Sequence, residues 1–269
     1  MAITRQITGD EVDHFRSHGW VVLRRWVDLA AVAEAFEICR SAMGDDAQNP
    51  MPSVVPESVR MWRRWDAPWK LYPELEKLGR SAEFTEPLTA LPFSDDGLRF
   101  WHDQFAVKTP DSIGTTTETP WHQDNPYLAI DRVGDLTVWV ALHDMTPEHG
   151  TMRFLTGSHT LGPLEDTFLD GQSGDLRDRH PDLWEKYELS SPLTLAAGDA
   201  TVHDGCTIHW APNNTAAEPR RAYISEYIPG ASKVARLPNG RVEALGLREG
   251  DDYPDDDSFP LTRRPAVRS

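Results

Sequence analysis

His122-Gln123-Asp124, preceded by Pro120-Trp121, offers an imidazole and a carboxylate two residues apart, and a second imidazole comes from downstream in Gly198-Asp199-Ala200-Thr201-Val202-His203-Asp204-Gly205-Cys206-Thr207-Ile208-His209. Two neutral imidazoles and one carboxylate occupy one face of a metal and leave the other positions open, the facial arrangement of non-haem Fe(II) oxygenases. Histidine-x-aspartate alone is weak evidence, and His180-Pro181-Asp182 repeats the spacing in a polar, charged stretch with no strand signal after it. His122 and Asp124 stand at a strand-like position, where alternate side chains share a face and both can reach one metal. For the third ligand the candidates are His203 and His209. His209 is preferred, because an Asn pair and then Pro219-Arg220 follow it at the end of a strand pair.

Trp121-His122-Gln123-Asp124, Trp139, His149-Gly150-Thr151-Met152, Gly157-Ser158-His159, Gly198-Asp199, His209 to Asn214 and Pro219-Arg220 together resemble the phytanoyl-CoA dioxygenase family of Fe(II)- and 2-oxoglutarate-dependent oxygenases. The resemblance runs from about Thr8 through Pro229. It implies a mainly β fold with flanking α-helices, a double-stranded β-helix of the jelly-roll, cupin-like kind. It also implies that His122, Asp124 and His209 bind Fe(II), and that Arg220, eleven residues after His209, pairs with the distal carboxylate of 2-oxoglutarate. A guanidinium suits that contact because it can bind a carboxylate through two hydrogen bonds. Strand parity then sends Arg221 to the opposite face and puts Ala222 and Ile224 beside Arg220.

Gln104, Ala106 and Lys108 form a similar alternating set. Gln104 resembles a family cosubstrate contact, and Lys108 could help neutralise a carboxylate or simply be a solvent-facing strand charge. Trp139 falls at the family's pocket tryptophan, and Gly157-Ser158-His159 reads as a structural turn. Ala211 departs from the pattern, standing where relatives often place a serine that touches the cosubstrate. An aspartate at 124 argues against halogenation, which needs a small residue there to free a position for halide.

The elements that must position these groups are legible in outline. Thr8-Gly9-Asp10-Glu11 fits a capping box opening a helix that Gly19 ends, and Asp28 can cap a second helix from Leu29 to about Met43. Trp20 to Arg24 lies between them as a strand, and Pro73 to Gly79 reads as another helix. Leu98 to Lys108, Leu136 to Met145, Thr151 to Leu155, Ala200 to Asp204 and Arg221 to Pro229 are short β-prone runs between Gly, Pro and Asp turns. Strands at this spacing after an initial pair of helices favour a sandwich or jelly roll. The chain 1–269 reads as one domain with a mobile flap over 44–72 and a loosely held tail from Glu249.

With 27 basic and 43 acidic residues the formal charge is −16, which disfavours nucleic acid, acidic membranes and strongly anionic substrates. No leader-like or membrane-length apolar run occurs, and two cysteines make no disulfide scaffold, so a cytoplasmic protein is expected. The expected partner is a small molecule. Oligomeric state is not legible. Of ten tryptophans, Trp62, Trp65, Trp69 and Trp210, with His203, are candidates for the substrate pocket. The expected reaction uses Fe(II), 2-oxoglutarate and O2 to oxidise a C–H bond of a secondary-metabolite-like molecule. Hydroxylation comes first; epimerisation, desaturation or cyclisation can use the same centre. Arg63 and Arg64 keep an acyl-CoA substrate open as the alternative, and a metal-binding jelly roll without turnover is the rival from another class.

Overall fold

The computed structural model describes residues 1–47, 63–92, 96–111, 118–164, 176–236 and 239–262, leaving aside the side chains of 63–65. Helix α1 (Gly9–His18) opens with the expected capping box: Thr8 accepts from the Glu11 amide, and the Glu11 carboxylate accepts from the Thr8 amide. Gly19 closes it in the left-handed region at φ 81, a conformation that favours glycine. Strand β1 (Trp20–Leu23) follows directly. Asp28 caps α2 (Leu29–Met43), whose Ala31, Ala35, Cys39 and Met43 recur every four residues and form its buried stripe. Pro73–Leu78 winds as a 3-10 helix and Ala82–Leu88 as α3.

The remaining strands are β2 (Arg63–Asp66), β3 (Leu98–Lys108), β4 (Thr119–His122), β5 (Leu136–Ala141), β6 (Arg153–Phe154), β7 (Ala200–Asp204), β8 (His209–Ala211), β9 (Arg220–Pro229) and β10 (Leu261–Thr262). All pairings between them are antiparallel. A major sheet runs β1-β7-β5-β9-β3-β10, with β2 also on β3, and a minor sheet runs β4-β8-β6. The fold is the expected jelly roll with flanking helices.

Alternation along the major sheet sorts its side chains into two layers. Phe105, Val107, Leu136, Val138, Val140, Val202, Tyr223 and Tyr227 join the core that the helices cover. Ala106, Trp139, Ala141, Ala222 and Ile224 lie on the inner face with Met152, Phe154 and Ala211 of the opposing wall. Because both faces are buried, apolar residues run almost without interruption along these strands. A bulge between Phe100 and His102 resets the alternation of β3, so Gln104, Ala106 and Lys108 downstream share the inner face.

Of the two segments expected to be loose, the tail needs correction and the flap is described only in part. The tail is packed through Thr262: Tyr253 and Phe259 are buried against Trp101, and Leu261–Thr262 pairs with β3. Its acidic composition hid two aromatic anchors. Within the expected flap, Arg63–Asp66 is a strand of the major sheet, while residues 48–62, Trp62 among them, and the Trp65 side chain lie outside the described residues.

Asp103 faces the helix-covered core. Burial pushes its carboxyl up to about 7, partly offset by the Tyr223 hydroxyl, which donates to it at 2.6 Å. An acid that holds its proton more tightly folded than unfolded loses stability as pH rises from its unfolded value near 4 through its folded value near 7. Thermal unfolding should show the native protein losing up to a few kcal/mol between about pH 4 and 7, relative to Asp103→Asn. Parallel pH profiles for the two proteins would remove Asp103 as the cause.

Candidate metal and cosubstrate site

His122 and His209 face each other as register partners across β4 and β8. The strand that delivers His122 ends there. Asp124 has helical backbone angles (φ −81, ψ −38) and leads into the 3-10 turn Asn125–Tyr127, so a turn, and not the expected strand alternation, brings it beside His122. Buried Gln123 clamps that turn, donating to the carbonyls of Cys206 and Gly162 at 2.6 and 3.0 Å while accepting from the Leu164 amide. The Asn125 amide donates to the Gly205 carbonyl at 2.9 Å. Both contacts tie Asp124 to the hairpin that carries His209.

The tautomers follow from the next contacts. His122 Nδ1 lies 2.8 Å from the Pro120 carbonyl and His209 Nδ1 lies 3.0 Å from the Thr207 carbonyl. A carbonyl only accepts, so each Nδ1 carries the proton and each Nε2 presents a lone pair. Asp124 Oδ1 is 3.4 Å from His122 Nε2 and 3.7 Å from His209 Nε2. Ligands at right angles on bonds of about 2.1 Å lie about 3 Å apart; the three ligand atoms all lie within 4.8 Å of one another, so the set needs only to close onto a metal. Burial, with His122 and His203 nearby, holds His209 well below the usual imidazole range. Burial opposes the charge on Asp124, yet its carboxyl is held well below the usual carboxylate range by the imidazoles around it, of which His203 is the one that can donate to it in these tautomers. A neutral imidazole and an ionised carboxylate are the forms a metal binds.

His143, His149 and Glu218 also lie within ligand distance of one another, but their wiring is reversed. His143 Nε2 accepts from the Arg221 amide at 3.1 Å. His149 Nδ1 accepts from the Thr146 amide at 3.1 Å, so its Nε2 must donate to Glu218. Those lone pairs are already engaged, and these residues do not fit a metal. His180 and Asp182 belong to neither cluster among the described residues. Asp182 heads the short helix Leu183–Lys186 instead.

At the other end of the inner face, Lys108 and Arg220 are direct register partners on β3 and β9. Lys108 is wholly buried and donates to the carbonyls of Ala211 and Pro212 at 2.7 and 2.8 Å. Arg220, 3% exposed, donates Nη1 to the Gly150 carbonyl at 2.8 Å, while its Nε has no partner among the described residues. Burial lowers both, Arg220 to about 9, and Arg220 lowers Lys108 further. Like charges directly opposite on neighbouring strands are destabilising, and burial makes them more so, an effect that Glu118 and Asp111 offset only in part at Lys108. Such a pair fits a carboxylate ligand. Trp139 flanks it, with the guanidinium 5.3 Å from its ring centre. Gly150 at φ 72 is required here, since a Cβ would sit 2.4 Å from the Pro212 carbonyl that Lys108 binds.

Arg221 points the other way, donating to the Gly44 and Asp45 carbonyls beneath α2 and lying over Phe36. Gln104 is on the inner face, but its amide donates to Glu226 at 3.3 Å, roughly 13 Å along β3 from Lys108 at about 3.3 Å per residue.

The pocket tryptophans are corrected in part. Trp210 follows His209 on β8 and points outward, stacked on Trp121 and bonded to Glu118. Trp69 packs against Phe100 and Arg80 in the helix-covered layer. His203 is inside, but its Nε2 contacts Asp124 Oδ2 at 2.9 Å, so it supports the carboxylate. Sequence reasoning missed the clamps at Gln123, Asn125 and Thr137. Their position beside or across from the His-x-Asp turn was the available signal.

The phytanoyl-CoA dioxygenase family model matches residues 15–222. A Dictyostelium discoideum phytanoyl-CoA dioxygenase domain-containing protein 1 homolog is 31% identical over 44% of this chain and 43% of its own length. Phytanoyl-CoA dioxygenase of Arabidopsis thaliana is 23% identical over 83% of this chain and 89% of its own. Among solved structures, the epimerase SnoN in complex with Fe3+, alpha ketoglutarate and nogalamycin RO superposes with a TM-score of 0.73 at 25% identity, covering 94% of this chain and 98% of that one.

Proposed function

The chain belongs to the phytanoyl-CoA dioxygenase family and is an Fe(II)- and 2-oxoglutarate-dependent oxygenase, and from that premise we propose that it oxidises an unactivated C–H bond of a free, secondary-metabolite-like small molecule, by hydroxylation first and by epimerisation, desaturation or cyclisation as alternatives.

The observation that carries the site assignment is the pair of buried cations, Lys108 and Arg220, on the same inner wall as Trp139 and facing the sheet that holds His122 and His209. On this reading His122, Asp124 and His209 hold Fe(II), while Arg220 and Lys108 receive the distal carboxylate of 2-oxoglutarate and Trp139 flanks it. With metal, cosubstrate and O2 bound, the chemistry supplied is oxidative decarboxylation to succinate and CO2, coupled to attack on the substrate C–H bond. The protein's part is to keep His122 and His209 in the Nε2-donating tautomer and Asp124 ionised. It must also exclude water around the buried cations so that their charge is felt by the cosubstrate.

A free substrate is favoured over an acyl-CoA by the charge of −16, because a thioester carries several phosphates that need clustered cations. The similarity to an epimerase bound to nogalamycin RO supports a complex organic molecule. No helix among the described residues is long and apolar enough to cross a membrane.

The test is mass spectrometry of a panel of free hydroxylated and polycyclic metabolites beside their CoA thioesters, with Fe(II), 2-oxoglutarate and O2. A product one oxygen heavier marks hydroxylation, two hydrogens lighter marks desaturation or ring closure, and unchanged mass with altered retention marks epimerisation. Each should appear with stoichiometric succinate and vanish without O2, and epimerisation, which leaves the substrate's oxidation state unchanged, should also require an added reductant such as ascorbate to supply two electrons per turnover. Turnover confined to the thioesters would replace the free-metabolite reading with acyl-CoA oxidation.

A further inference from the structure

The two carboxylate oxygens of Asp124 are treated differently by the fold. Oδ1 faces the Nε2 atoms of His122 and His209. Oδ2 accepts from Thr137 Oγ1 at 2.6 Å and contacts His203 Nε2 at 2.9 Å. Thr137 and His203 are register partners across β5 and β7, so both donors reach Asp124 from the major sheet, opposite the wall that carries the histidines. Two donors fill the two lone-pair directions of one carboxylate oxygen.

From this wiring we propose that Thr137 and His203 are positioning residues that restrict Asp124 to a single-oxygen contact with the metal. The proposal rests on the assignment of His122, Asp124 and His209 as the metal site. With two imidazoles and one carboxylate oxygen on a six-coordinate ion, three positions stay open. Two suit the keto-acid end of 2-oxoglutarate and one is left for O2. A carboxylate bound through both oxygens would take the third, and cosubstrate would then fill the remainder.

His203 carries an independent sign of this commitment. It is 1% exposed, and its Nδ1 is buried without a partner among the described residues. Either protonation state leaves that nitrogen unmatched, which a histidine kept for packing would avoid. The ring centre of Phe154 lies 5.4 Å from that of His203, and Trp20 stacks on Phe154 at 4.9 Å. These rings restrict rotation, so His203 keeps Nε2 on the carboxylate.

Mn(II) is the probe for the test, because water-proton relaxation of the Mn(II)-loaded protein counts exchangeable waters on the ion. Native protein should show three such waters, falling to one when 2-oxoglutarate is added. In Thr137→Val/His203→Leu the count should fall to two, then to none, with the KM for O2 rising about tenfold or more and that for 2-oxoglutarate changing little. His203→Gln, which keeps an N–H donor, should retain the native count. Should the double variant not fold, the single variants carry the test, and a count below native after 2-oxoglutarate addition in at least one of them supports the proposal. Native counts in every folded variant overturn it. Failure of native protein to bind Mn(II) overturns the metal-site assignment itself, and the proposal with it.

Discussion

Fe(II) affinity falls by more than about 100-fold in His122→Ala, Asp124→Ala and His209→Ala, and coupled succinate production is lost, whereas His180→Ala retains both. The size of the effect follows from what is removed: partners that only orient a ligand already cost 10- to 100-fold when lost, and in the proposed site these residues would supply the ligand atoms themselves. Asp124→Ala also strands the Thr137 hydroxyl and His203 Nε2 that converge on Oδ2. Asp124→Asn, which keeps the shape, is therefore its companion. Anaerobic metal titration measures the affinity, and the rise in unfolding temperature with added metal gives a second readout, since a ligand that binds only the folded state stabilises it in proportion to the logarithm of one plus the ratio of free ligand to its Kd. Native affinity in His209→Ala would move the third ligand elsewhere, with His203 the first residue to test.

His203 and His209 show where local sequence stops being informative. Both precede or follow β-prone residues in the same segment, and residue type does not separate them. Register does: His209 pairs with His122 in the minor sheet, while His203 pairs with Thr137 in the major one. That information belongs to contacts distant in sequence. The nearness of His122 to Asp124 was legible, but its stated cause was not, because the strand ends at His122 and a turn held by Gln123 and Asn125 places the carboxylate.

Strand parity succeeded where a strand is long and regular. Along β9 it separates Arg220 from Arg221, and along β3 it puts Lys108 inside. The same rule applied to β8 would have turned Trp210 away from the face of His209. An indole's size and apolarity say that it will be buried, and leave open against which layer. Trp69 illustrates this, packed with Phe100 among the helices. The tail was misread for a related reason: Tyr253 and Phe259 anchor it against Trp101, and such contacts are invisible to a composition average over an acidic segment.

Arg220→Leu raises the 2-oxoglutarate requirement by roughly 30-fold to several thousand-fold, the equivalent of the 2–5 kcal/mol that loss of one partner in a buried charge pair costs. Arg221→Leu changes it by no more than a few-fold. Adjacent in sequence, the two arginines differ in everything the side chain meets: Arg220 lies beside Trp139 opposite Lys108, and Arg221 binds the Gly44 and Asp45 carbonyls under α2. Their effects on stability should therefore be opposite. Without cosubstrate, Arg220→Leu leaves the Gly150 carbonyl without that donor, but it also relieves the repulsion of Lys108 and removes a buried charge that has no counter-ion among the described residues. The second effect is the larger, so the apo protein unfolds at the native temperature or above it. The further rise that 2-oxoglutarate produces in the native protein disappears. Arg221→Leu leaves those carbonyls without their donor and lowers the unfolding temperature, yet keeps the increment from 2-oxoglutarate. Differential scanning fluorimetry with and without cosubstrate, in the presence of Mn(II), reads all four quantities in one experiment. An Arg220→Leu protein still stabilised by 2-oxoglutarate to the native extent would show that the distal carboxylate binds elsewhere, and equal losses in both variants would show that strand parity had not separated their roles.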